Sequence, residues 1–169
     1  MIVAMAGLPG VGKSTLAGAL GRRLHAVVLD KDRVRAGLFP PSQVDYTPDQ
    51  NDFCVDVMYR TTEWLLRRGH ASVVILDGCT YTRNGQIAAL RRRATDLGEP
   101  LRVIECTCDD QLALTRIAAD TNHPARNRDA ALYRELRAAA HEISGPKLVI
   151  NTGCAVAHCV ADCLSYLRS

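Results

Sequence analysis

Residues 1–15 read Met1-Ile2-Val3-Ala4-Met5-Ala6-Gly7-Leu8-Pro9-Gly10-Val11-Gly12-Lys13-Ser14-Thr15, an apolar run passing straight into a glycine-rich loop. Residues 1–6 predict a buried strand. The residues after them fit G-x-x-x-x-G-K-[ST] at every specified position. The glycines let successive N–H groups turn toward one anion, so Gly7, Pro9, Gly10, Val11, Gly12, Lys13, Ser14 and Thr15 are expected to hold nucleotide phosphates. Lys13 reaches the outer phosphates, and the Ser14 hydroxyl is placed to ligate Mg²⁺. The helix predicted over residues 16–24 points its partial positive charge at the same phosphates. The expected cofactors are ATP and Mg²⁺.

Outward from this loop, short apolar runs alternate with longer helical patterns, the sign of a parallel sheet flanked by helices. Strands are predicted over 26–29, 72–76, 101–105 and 147–150, and helices over 49–68, 84–97, 109–119, 129–143 and 155–167. Residues 37–48, with three prolines, predict a loop. The expected fold is α/β, a three-layer sandwich around a five-stranded parallel sheet, with residues 1–169 forming one domain. In such sheets ligands bind beyond the carboxyl ends of the strands, where Asp30, Asp32, Asp77 and Asn151–Gly153 fall.

Composition narrows the partners. A net charge of +3 is too small to argue for nucleic acid or a membrane surface. No apolar run approaches a membrane span, and a cytoplasmic location is expected. The seven cysteines are scattered without the paired C-x-x-C spacing of a zinc site, and are expected to be reduced thiols acting as small hydrophobes. The 18 arginines against three lysines, with abundant alanine, resemble the product of a GC-rich genome.

The strand ends carry the chemistry. Asp77 closes the run Val73-Val74-Ile75-Leu76 and is expected to hold the Mg²⁺ shell, directly or through water. Asp30-Lys31-Asp32-Arg33-Val34-Arg35 follows the second strand. A phosphoryl acceptor needs a carboxylate to orient its hydroxyl and take the proton; Asp32 or Asp30 can do this, while Arg35 clamps the acceptor. A helix cap is the alternative reading of these carboxylates. Arg116, Arg126 and Arg128 flank a polar stretch expected to close as a lid over about residues 116–130 and neutralise charge on the transferred group. Tyr81 and Arg83 are candidates for the acceptor pocket. The guanine-reading N-K-x-D motif is absent, which disfavours a GTPase switch.

With GLPGVGKST, VLDKDRVR, VILDG and LVINT in place, the chain resembles the small phosphate-loop kinases of the AAA_33, zeta-toxin and polynucleotide-kinase type over nearly its full length. The resemblance implies a P-loop NTPase, nucleotide-kinase-like fold with a short lid. It implies Asp32 as general base with Asp30 in support, Arg35 on the acceptor, Arg116 near adenine, and Asn151, Thr152 and Gly153 bordering the adenine pocket. The segment LDKDRVRAGL is also similar to that of adenylyl-sulfate kinases, from which it departs in carrying Lys31 for a glycine. A further resemblance, to chloramphenicol phosphotransferase, brings in an antibiotic or nucleoside-type natural product as acceptor. The expected activity is phosphotransfer from ATP to a hydroxyl of a small molecule by a monomer or homodimer. The alternatives are a 5′-hydroxyl polynucleotide kinase, an adenylyl-sulfate kinase-like enzyme and a non-catalytic nucleotide-binding module.

Overall fold

Five parallel strands in the order β2-β3-β1-β4-β5 carry the molecule. They are β1 (Ile2–Ala6), β2 (Val27–Asp30), β3 (Val74–Asp77), β4 (Leu101–Thr107) and β5 (Leu148–Asn151). The helices are α1 (Lys13–Leu24), α2 (Lys31–Leu38), α3 (Pro48–Arg67), α4 (Gln86–Asp96), α5 (Asp110–Ala119), α6 (Ala130–Ala138) and α7 (Val156–Arg168). The structure is a computed structural model describing residues 1–120, 125 and 127–169.

The central strand β1 is buried at every residue, as a parallel strand covered on both faces must be. Its side chains alternate between two cores. Val3 and Met5 pack with Leu16, Leu20, Ile104, Ile117 and Cys163. Ile2, Ala4 and Ala6 pack with Met58, Leu76, Ile87, Leu90 and Ile143 on the other face. With β3 and β4 paired to either side of β1, the phosphate loop leaves the middle of the sheet. Strands β2 and β3 pair with Asp30 opposite Asp77, which brings both carboxylates to the same rim.

Three elements differ from the sequence reading. The segment after β2 is the helix α2, with the Asp30 side chain accepting from the backbone N–H groups of Asp32 and Arg33. Its last residues lie inside the stretch expected as a loop, which retains only a 3₁₀ turn over Pro41–Gln43. Helix α6 stops at Ala138 although its helical pattern continues. The His141 N–H donates to the Thr82 carbonyl at 2.9 Å instead, and Ile143 is drawn into the second core; tertiary burial overrides local propensity there.

Candidate active site

The loop between β1 and α1 is shaped by left-handed backbone at Gly7 and Gly10, with φ of 121° and 76°. A Cβ at Gly7 would collide with the Cys106 carbonyl oxygen, and one at Gly10 would lie 2.5 Å from that of Ala113. Glycine is therefore required twice, by conformation and by space. Pro9, Gly10, Gly12, Lys13, Ser14 and Thr15 line a cavity of about 840 Å³. Val11 turns its side chain into the core, leaving only its backbone to the loop.

Lys13 is buried, and its ammonium donates to the Gly7 and Leu8 carbonyls, each at 2.7 Å. One of its three donors remains for a phosphate. Burial pulls its pKa below the ordinary lysine value, opposed by the negative charge of Asp77. Asp77 is 1% exposed. Burial raises its pKa, while a hydrogen bond from Ser14 and the charge of Lys13 lower it.

Asp77 Oδ1 is buried without a hydrogen-bond partner among the described residues. An orphaned carboxylate oxygen beside a serine hydroxyl suits a hard cation that takes its remaining oxygens from phosphates and water. The residues fit Mg²⁺. Among the described residues no group of three or more His, Cys, Asp or Glu side chains could cage a metal.

The far rim of the loop is tied to β5 by Thr152. Its hydroxyl donates to the Val11 carbonyl at 2.5 Å. The Arg116 guanidinium donates to the Thr152 hydroxyl at 3.2 Å and to its carbonyl at 2.9 Å. Arg116 thus lies along the loop from α5, and both residues line the cavity. Asn151 and Gly153 make the turn itself, the Gly153 N–H donating to Asn151 Oδ1 at 2.9 Å, and neither lines the cavity. Arg128 lines it and donates to Asp120 at 2.8 Å. Arg126 lies outside the described residues.

On the opposite side, Asp32 and Arg35 line the cavity from α2. Arg35 is 2% exposed. It donates to Asp32 at 2.5 Å and to Asn51 Oδ1, and lies over the Tyr46 ring at 5.1 Å. Asn51, in the first turn of α3, returns its amide to the Tyr46 and Thr47 carbonyls. The guanidinium expected to clamp an acceptor thus holds Asp32 through Nη1 and Asn51 through Nη2, while its Nε is buried without a partner among the described residues. Asp30, expected beside Asp32 as a second carboxylate, caps α2. Tyr81 is buried in the second core and leaves the pocket, whereas Arg83 lines the cavity and pairs with Asp52.

Asn51 and Tyr46 were not legible as site residues. The only local signal was the Thr47-Pro48 helix start, which places a polar residue one turn into α3 without saying what it faces.

A family model, AAA_33, described as an AAA domain, matches residues 2–142. Among solved structures the chain is similar to the APS kinase CysC of Mycobacterium tuberculosis in complex with AMPPNP and APS. That pair shares 19% identity over 99% of this chain and 97% of that one, with a TM-score of 0.75. It is similar to a gluconokinase from Sinorhizobium meliloti at 14% identity over 98% and 90% of the two chains, TM-score 0.71. It is also similar to Kti12 of Chaetomium thermophilum in complex with ADP-AlF3, at 14% identity over 98% of each chain, TM-score 0.72. No curated protein sequence matches. These structural likenesses describe a shared P-loop kinase fold.

Proposed function

This chain belongs to the AAA_33 family, and on that premise we propose that it transfers the γ-phosphoryl group of ATP to a hydroxyl of a small molecule. The observation that carries this reading is a single cavity with phosphate-binding groups on one wall and the Asp32–Arg35 pair on another. The nucleotide-bound neighbours and the named sugar and adenylyl-sulfate kinases support it at the level of fold.

The loop N–H groups and the free donor of Lys13 bind the β- and γ-phosphates. Ser14, with Asp77 behind it, would hold Mg²⁺, which would supply neutralising charge to those phosphates. Asp32 accepts the proton of the acceptor hydroxyl, whose oxygen forms the new bond to the γ-phosphorus as the bond to the β-bridging oxygen breaks and ADP leaves. Arg35 and Asn51 hold the Asp32 carboxylate in place for that transfer. Arg128, and Arg126 in the stretch expected as a lid, balance charge on the moving group. Arg116 and Thr152 set the edge where the base lies. An antibiotic or nucleoside-type natural product fits the acceptor role suggested by the sequence resemblance.

The test is ADP release from ATP and Mg²⁺ across hydroxylated acceptors, with mass spectrometry for a product one phosphoryl group heavier. Acceptor-stimulated release with such a product is expected. Tight AMPPNP binding with no stimulation by any acceptor would turn the reading toward a non-catalytic nucleotide-binding module.

A further inference from the structure

Among the described residues, six cationic side chains line the cavity: Lys13, Lys31, Arg35, Arg83, Arg116 and Arg128. Five of them are engaged. Lys13 is bonded to loop carbonyls, Arg35 to Asp32 and Asn51, and Arg83 to Asp52. Arg116 is bonded to Thr152 and Arg128 to Asp120. Lys31 has no ion pair or hydrogen bond with a described residue.

Lys31 is the first residue of α2, between the capping Asp30 and Asp32. Its backbone N and Cβ lie against Gly78, where an added Cβ would come within 2.9 and 3.0 Å of them. Its charge acts on Lys13, on the Cys79 thiol past the end of β3 and on the Cys54 thiol of α3. Lys31 is partly buried as a residue and lines the cavity together with Asp32, Gly78 and Cys79. A cation at the cavity wall with no partner among the described residues keeps its three donors for an anion in the cavity.

We propose that Lys31 receives an anionic group of the phosphoryl acceptor, so that the substrate is a hydroxylated small molecule bearing a carboxylate, sulfate or phosphate near the hydroxyl that Asp32 activates. This rests on the phosphotransferase reading and narrows its acceptor. The nucleotide phosphates already have Lys13, the loop amides, the start of α1 and the lid arginines. Lys31 adjoins Asp32, whose task is the acceptor hydroxyl. An ammonium is a point charge without the fixed fork of a guanidinium, so it selects for charge and accepts any of the three anion shapes. A neutral acceptor would leave that charge uncompensated.

The experiment titrates inorganic sulfate into the full chain saturated with Mg²⁺ and AMPPNP, by calorimetry, with chloride holding the ionic strength constant. Sulfate binds the wild type. Lys31→Gln weakens sulfate by about tenfold or more, as loss of one charge-assisted contact implies, and Lys31→Arg largely restores it. AMPPNP affinity stays level in all three proteins. Equal sulfate affinity in the wild type and Lys31→Gln overturns the inference, and so does no sulfate binding to the wild type. A Lys31→Gln protein that loses AMPPNP affinity also overturns it, because Lys31 would then serve the nucleotide. Failure of the wild type to bind AMPPNP would instead overturn the phosphotransfer reading on which the inference rests.

Discussion

Arg35 donates to Asp32 across one turn of α2, at 2.5 Å, while its other terminal nitrogen donates to Asn51 in α3. The candidate base is thereby fixed by a residue that is itself held from a second helix and stacked on Tyr46. Removing Arg35 leaves a nearly buried carboxylate and an amide oxygen without their donor.

Arg35→Gln is expected to destabilise the protein by roughly 3 kcal/mol, the scale of breaking a buried pair by removing one partner; denaturant unfolding measures it. Asn51→Ala keeps the Arg35–Asp32 pair but releases it. Its expected signature is kcat lowered roughly 10²-fold by misplacement of the base, with AMPPNP affinity unchanged. A merely structural Asn51 would lower stability and leave kcat per folded molecule intact. Asp32→Asn should bind AMPPNP normally and lose about 10²–10⁴ in turnover. Full activity in that variant would remove Asp32 as the base.

Gly7 and Gly37 predict opposite outcomes for the same substitution. Gly7→Ala forces a Cβ into the Cys106 carbonyl at φ 121°, and should cost about 2 kcal/mol or more along with nucleotide binding. Gly37, near the end of α2, has no atom beyond its chain neighbours and its own helix backbone within 4 Å of its would-be Cβ. Gly37→Ala should therefore stabilise by about 0.5–1 kcal/mol through the unfolded chain. Thermal unfolding of the two variants checks both signs.

Asp77 is expected to make the stability of the nucleotide-free protein depend on pH. Burial raises its pKa above the ordinary 3.8, so the folded protein keeps a proton where the unfolded chain has lost it. The stability this residue contributes is full below that ordinary value and is lost as pH rises through the raised one. Asp77→Asn removes the dependence. Its stability relative to wild type should climb over that interval and then level, while the stabilisation of the nucleotide complex by Mg²⁺ disappears. A flat difference across the acid range would contradict the assignment.

The thiols can test where the nucleotide edge lies. Cys154 is exposed and lines the cavity, whereas burial pushes the Cys106 and Cys163 thiols up to about 12. Maleimide should label Cys154 first and leave Cys106 and Cys163 untouched in the folded protein, since the thiolate is the nucleophile. Saturating AMPPNP should slow the Cys154 reaction. Labelling indifferent to AMPPNP would move the nucleotide away from the turn after β5.

Tyr133 ties α6 to α5. Its hydroxyl donates to Asp110 Oδ1 at 2.8 Å, joining α6 to α5, while its ring is buried. Tyr133→Phe keeps the packing and loses the bond, with an expected cost of about 1 kcal/mol in denaturant unfolding.

What could be read from the chain alone was what consecutive residues decide. The phosphate loop is a run of backbone conformations with Lys13 and Ser14 attached, so its spacing carries its geometry. The alternation of apolar runs and helical patterns carries the α/β class in the same way. Tertiary structure decided what depends on residues distant in sequence. The order β2-β3-β1-β4-β5 put Asp77 beside Ser14 and set Thr152 against Val11 across 141 residues. It turned Tyr81 into the core and engaged Arg35 with Asn51, leaving Lys31 without a partner among the described residues that line the cavity. A side chain's charge is written in the sequence, but whether that charge is already neutralised depends on which distant groups folding brings within hydrogen-bond reach.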